Sequence, residues 1–239
     1  LGNFSASIGK AKSKKTFNVS AIVAAALTNG IVLQYAAALP EDKRKILYVD
    51  TEQSPYHCLK VARRILRMAG LPTDRDNENL EFLALRKHTP EERIAIVEQA
   101  IYRTDNIGLV IIDGIRDMVY DINSPSEATC IISKLMQWTD ERQIHIHTIL
   151  HQNKADENAR GHIGTELNNK AETVLLVEKD EKDTDVSTVR AAHIRAMDFD
   201  AFAFRINEEA LPELLDGYKF QKKEPGRPKK EKFDAYRDI

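Results

Sequence analysis

Cysteine is scarce in this 239-residue sequence: only Cys58 and Cys130 are present, far apart and without a companion CxxC or Cys/His cluster. A disulfide framework and a zinc site are therefore both poorly supported, and a reducing cytoplasmic compartment is expected. Net charge is also lacking. At −2 it offers no global attraction to nucleic acid or membrane, so any such pull must come from the lysine clusters at 10–15 and 222–232. Nor is there an unbroken hydrophobic run. The longest apolar stretch, 19–39, is interrupted by Ser20, Thr28, Asn29, Gly30 and Gln34, which argues against a signal peptide or a membrane span. No internal repeat is found. What remains is 42% apolar and 30% charged residues, enough to bury a core under a well-solvated surface.

Short apolar runs rich in β-branched residues predict buried strands at 4–8, 46–49, 80–84, 109–112, 144–150 and 173–177. Helical periodicity fills the gaps at 15–39, 55–69, 90–103 and 126–142, with a short helix near Leu167. Alternating strand and helix imply a mainly parallel central sheet flanked by helices on both faces, an α/β fold. Segments 186–196 and 201–206, around a turn at 197–200, predict a C-terminal antiparallel hairpin. The expected domain is 1–220. Beyond it, 221–239 has the Lys, Glu, Pro and Gly composition of a tail.

Between the first strand and first helix lies Gly9-Lys10-Ala11-Lys12-Ser13-Lys14-Lys15-Thr16-Phe17. A phosphate site needs backbone N–H groups converging at a helix N-terminus, a lysine on the outer phosphates and a hydroxyl for magnesium. Gly9, Lys15 and Thr16 fit the G-x-x-x-x-G-K-[ST] pattern, but Lys14 stands where its second glycine belongs. That glycine normally lets the backbone approach the phosphates unobstructed. A basic surface turn ahead of a helix is the competing reading.

A carboxylate must complete the magnesium site, and Asp113 closes the apolar run Leu109-Val110-Ile111-Ile112 as such a donor should. The alternative is an Asp that caps the Asp-Gly turn. The chain thus implies ATP and Mg2+ as ligands, with Thr16 and Asp113 on the metal.

With these motifs the chain resembles the RecA-like P-loop ATPases, particularly the RepA, KaiC and DnaB-type branch, over about residues 4–206. The resemblance implies that an acidic residue after the second strand polarises the attacking water. In Asp50-Thr51-Glu52-Gln53 that residue is Glu52, with Asp50 as fallback. Acidic charge at a helix start is the other reading of Glu52. The resemblance also implies a γ-phosphate sensor at the end of the 144–150 strand, where Gln152 matches best and His151 stands beside it. His145 and His147 are read as packed histidines. Lys170, and alternatively Arg195, would reach a neighbouring subunit's γ-phosphate in a homo-oligomer, with a hexameric ring as one form the resemblance implies.

Glu224-Pro225-Gly226-Arg227-Pro228-Lys229-Lys230 resembles an AT-hook, whose arginine enters the narrow minor groove of A·T-rich DNA, with Arg227, Lys229 and Lys230 as contacts. A solvated tail is the alternative. The expected function is an ATPase in DNA replication, mobilisation or a related DNA transaction, with a helicase-like activity among those the resemblance implies. The rivals are a non-hydrolysing nucleotide-binding regulator or DNA-binding module, which Lys14 favours, and a P-loop small-molecule kinase.

Overall fold

The structure, a computed structural model, describes residues 1–152, 159–196 and 198–220. The elements run β1 (Phe4–Gly9), α1 (Lys15–Thr28), β2 (Ile31–Val32), β3 (Tyr35–Ala36), β4 (Lys45–Asp50), α2 (Pro55–Met68), β5 (Leu80–Ala84) and α3 (Pro90–Arg103). They continue with β6 (Ile107–Asp113), α4 (Pro125–Arg142), β7 (His145–His151), α5 (Gly161–Lys170), β8 (Thr173–Lys179), β9 (Val186–Ile194), β10 (Phe202–Ile206) and β11 (Pro212–Leu214). Nine strands form one sheet in the order β11-β10-β9-β8-β1-β7-β6-β4-β5. From β8 to β5 every pairing is parallel. The predicted hairpin is present as antiparallel β9 and β10, and β9 also runs antiparallel to β8. The turn position Met197 lies outside the described residues, as does the tail 221–239.

Strand alternation sorts the core into two layers. Ile46, Tyr48, Leu109 and Ile111 pack with Val19, Val23, Val61 and Ile65 of α1 and α2. Leu47, Val49, Val110 and Ile112 pack on the opposite face with Val97, Ile132, Trp138 and Ile163 of α3, α4 and α5.

The first helix is shorter than its periodicity suggests. It ends at Thr28 because Asn29 takes a left-handed conformation, φ 48°, and donates its N–H to the carbonyls of Ala25 and Ala26. The Asn29 side chain then clasps Leu39, donating to its carbonyl at 2.7 Å and accepting its N–H at 2.8 Å. Residues between them fold back as the β2–β3 ribbon. The alanine-rich run is therefore a 14-residue helix, and among the described residues no helix is long and apolar enough to cross a membrane.

Candidate nucleotide-binding site

The carboxyl ends of β1, β4, β6 and β7 meet at one edge of the sheet, where a cleft of about 410 Å³ lies between the phosphate loop and α2. Lys12, Lys14, Lys15, Thr16, Phe17, Glu52 and Asp113 all line it. Parallel pairing explains the convergence: Asp50 registers with Asp113 and Gly9 with His151, so residues far apart in the chain end their strands side by side.

Lys14 solves the problem its side chain posed. Its backbone is left-handed, φ 66° and ψ 29°, which is the conformation that favours glycine. The side chain turns away from the loop, and its ammonium donates to the carbonyls of Thr184 and Asp185 in the β8–β9 connection. Lys12 is also left-handed, φ 65°. The loop thus keeps its curl without the second glycine, at a cost of roughly 1–2 kcal/mol for each such residue. Gly9 remains obligatory, because a Cβ there would stand 2.2 Å from the Val177 carbonyl oxygen.

Lys15 is buried, and its ammonium donates to the carbonyls of Gly9 at 2.8 Å and Lys10 at 2.9 Å. Burial lowers its pKa to about 8, against the pull of Asp113 and Glu52. Thr16 Oγ1 donates to Asp113 Oδ2 at 3.1 Å, and the Tyr48 hydroxyl donates to the same oxygen at 2.9 Å. Burial, reinforced by Asp50, pushes the Asp113 carboxyl up to about 7. A hydroxyl beside a desolvated carboxylate is a hard-oxygen pair suited to Mg2+, whose charge would relieve that shift. Gly114, φ 103°, lets the chain turn under Thr51, because a Cβ would lie 2.2 Å from Thr51 Oγ1.

Two carboxylates were candidates for the base, and their surroundings differ. Asp50 is fully buried, with Oδ1 accepting the N–H groups of Glu52 and Gln53 and Oδ2 accepting the Gln53 amide at 2.7 Å. Both of its oxygens are thus engaged within the turn. Glu52 is 44% exposed at the cleft, 3.7 Å from His151 Nε2. His151 draws the Glu52 carboxyl below its usual range. The other ring nitrogen of His151, Nδ1, is 3.2 Å from the Lys15 ammonium.

The structure sets His151 rather than Gln152 in the cleft lining. Gln152 is buried, donates its N–H to the Gly9 carbonyl and bridges to Ala159; Asn153 beyond it is outside the described residues. Strand parity decides this, since His145, His147, Ile149 and His151 all face α1. His147 is buried, between Ser5 and Ser7, as a packed histidine should be.

Lys170 and Arg195 lie outside the cleft. They flank the start of β8 at the sheet's other edge, where Thr173 registers with Ser5 and Ile194. Lys170 is 3.5 Å from Glu166, and Arg195 donates to the Asn169 carbonyl.

Arg64 and Arg116 also line the cleft, and the motif reading missed both. The Arg64 guanidinium lies 3.6 Å above the centre of the Phe17 ring. Its signal was an arginine beside Ile65 on the apolar stripe of α2, three residues after Val61. Arg116 sits just past the Asp-Gly turn, 3.2 Å from Asp117.

The AAA domain family model (AAA_25) matches residues 1–157, the span that contains every one of these cleft residues. The chain belongs to this AAA domain family. It is a RecA-like P-loop domain of the ATPase type. Among solved structures it resembles the crystal structure of the RadB recombinase, with a TM-score of 0.58 and 16% identity, covering 87% of this chain and 89% of that one. That likeness gives this AAA domain its RecA-like fold. No curated protein matches the sequence.

Proposed function

We propose that this AAA domain binds Mg·ATP in the cleft and hydrolyses it in the service of a DNA transaction. The observation that carries the reading is the convergence of Lys15, the Thr16–Asp113 pair and Glu52 at one sheet edge. Lys15 exchanges its two carbonyl acceptors for β- and γ-phosphate oxygens, assisted by the loop N–H groups and the start of α1. Thr16 and Asp113 would hold Mg2+, which supplies charge compensation on the phosphates. Glu52, open to solvent, accepts a proton from the water attacking the γ-phosphorus, and His151 keeps it ionised. In this reading His151 senses the γ-phosphate, a role supported by its approach to both Lys15 and Glu52. Arg64 and Arg116 add positive charge to the cleft wall.

Lys14 was the feature favouring a regulator without hydrolysis; its left-handed backbone and its bonds to the β8–β9 connection support the hydrolysing reading instead. A role on DNA is supported by the fold shared with a recombinase and by the Gly226-Arg227-Pro228 element with Lys229 and Lys230. Assembly into a homo-oligomer would bring Lys170 or Arg195 of one copy to the cleft of the next, since neither reaches its own.

The test is nucleotide binding and turnover, with and without DNA, for wild type, Lys15→Ala and Glu52→Gln. Lys15→Ala is expected to abolish binding, and Glu52→Gln to retain binding while losing most turnover. Unchanged ATP affinity in Lys15→Ala refutes the phosphate-loop assignment. A wild type that binds ATP but stays inert with DNA under oligomerising conditions refutes hydrolysis.

A further inference from the structure

A second cavity, about 670 Å³, opens near the amino ends of β1, β7 and β8 and shares no lining residue with the nucleotide cleft. Its volume falls within the range of small-molecule sites. Tyr35 from the β2–β3 ribbon, Phe199 from the β9–β10 connection and Phe202 at the start of β10 line it with their rings. Tyr35 meets Phe202 edge to face, with ring centres 5.6 Å apart. Among the described residues the charged side chains in the lining are acidic, Glu172 and Asp200.

The histidines of the lining are neutral. His145 Nε2 is 2.7 Å from Ser5 Oγ, the same oxygen is 2.7 Å from His147 Nδ1, and His147 Nε2 is 2.9 Å from Ser7 Oγ. Burial lowers His145 to about 4 and His147 to about 3, so neither carries charge near neutral pH. This chain of hydrogen bonds uses both nitrogens of His147 but only one of His145. His145 Nδ1 has no hydrogen-bond partner among the described residues and belongs to a residue lining the cavity. Aromatic walls, acidic charge and an uncharged polar floor favour a cation with a flat apolar body.

We propose that this cavity is a binding site for a small aromatic ammonium ion, its ring against Tyr35, Phe199 and Phe202 and its charge toward Glu172 and Asp200. His145 Nδ1 supplies a further hydrogen bond. The site is independent of the nucleotide reading, because it stands on residues the cleft does not use.

Tryptamine and indole-3-propionate carry the same ring with opposite charge, and calorimetric titration of both, with saturating Mg·ATP present, tests the proposal. Wild type is expected to bind tryptamine saturably and at least about tenfold more tightly than the carboxylate, a difference of ~1.4 kcal/mol. Ala201→Trp, which places an indole in the cavity wall, is expected to weaken tryptamine by a similar factor. The double variant Glu172→Gln/Asp200→Asn, which alters only side chains at the surface or half-buried, should bring the two ligands within about threefold of each other. Absence of saturable tryptamine binding to wild type, equal affinity for the two ligands, or full affinity in Ala201→Trp would overturn the proposal.

Discussion

Replacing Lys14 separates what its backbone costs from what its side chain contributes. The left-handed backbone, φ 66°, disfavours any residue with a Cβ, and glycine in its place recovers about 1 kcal/mol. The ammonium makes two hydrogen bonds, to Thr184 O at 3.2 Å and Asp185 O at 2.5 Å, in a solvent-exposed setting. Together these stabilise by ~1 kcal/mol. Lys14→Gly loses the bonds and relieves the strain, so it should be close to neutral. Lys14→Ala loses the bonds and keeps the strain, so it should be about 1 kcal/mol less stable than wild type. For a domain of this size that separation is roughly 2–4 °C in Tm, measurable by differential scanning calorimetry without nucleotide. ATP affinity should survive in Lys14→Gly, because Lys15 and Thr16 are untouched. If Lys14→Ala melts at or above Lys14→Gly, the left-handed conformation is not what this position demands.

Asp113 provides a pH test: its folded pKa of about 7 lies above that of the unfolded chain, so its stabilisation, present in acid, is lost as pH rises toward 7. Asp113→Asn, whose amide oxygen still accepts from Thr16 and Tyr48, should raise metal-free stability at pH 8 by up to a few kcal/mol and remove Mg2+-dependent ATP binding; a variant less stable at pH 8 than wild type refutes this. His151→Ala removes the group that holds Glu52 low, so the acid limb of the turnover profile should move to higher pH; an unmoved limb shows that His151 does not tune Glu52. Asn29→Ala abolishes both bonds to Leu39 and replaces a residue that tolerates the left-handed conformation with one that tolerates it less well, at a cost of about 2 kcal/mol by urea denaturation. Removing 221–239 should weaken DNA binding and flatten its salt dependence, and Arg227→Ala should erase preference for A·T-rich duplex; identical salt titrations for all three proteins would leave the tail a solvated terminus.

Much of the fold was legible because its strands are apolar runs and its helices are periodic. Their alternation along the chain then implies a mainly parallel sheet covered on two faces. The phosphate loop was legible as well, since Gly9, Lys15 and Thr16 are adjacent in the chain and follow a strand. The stop of α1 was written in Asn29-Gly30 but was masked by alanine-rich flanks whose periodicity continues past it. Other features exist only once strands pair. Parity on β7 turned His151 into the cleft and Gln152 out of it, and no local pattern distinguishes the two. Loop closure gave Lys14 a glycine's backbone, and the β8–β9 connection supplied carbonyls for its ammonium from far along the chain. The sequence by itself determined which residues can bind phosphate and carry charge. The tertiary structure decided which face each presents, because a side chain's direction depends on strand register and loop conformation rather than on its neighbours in sequence.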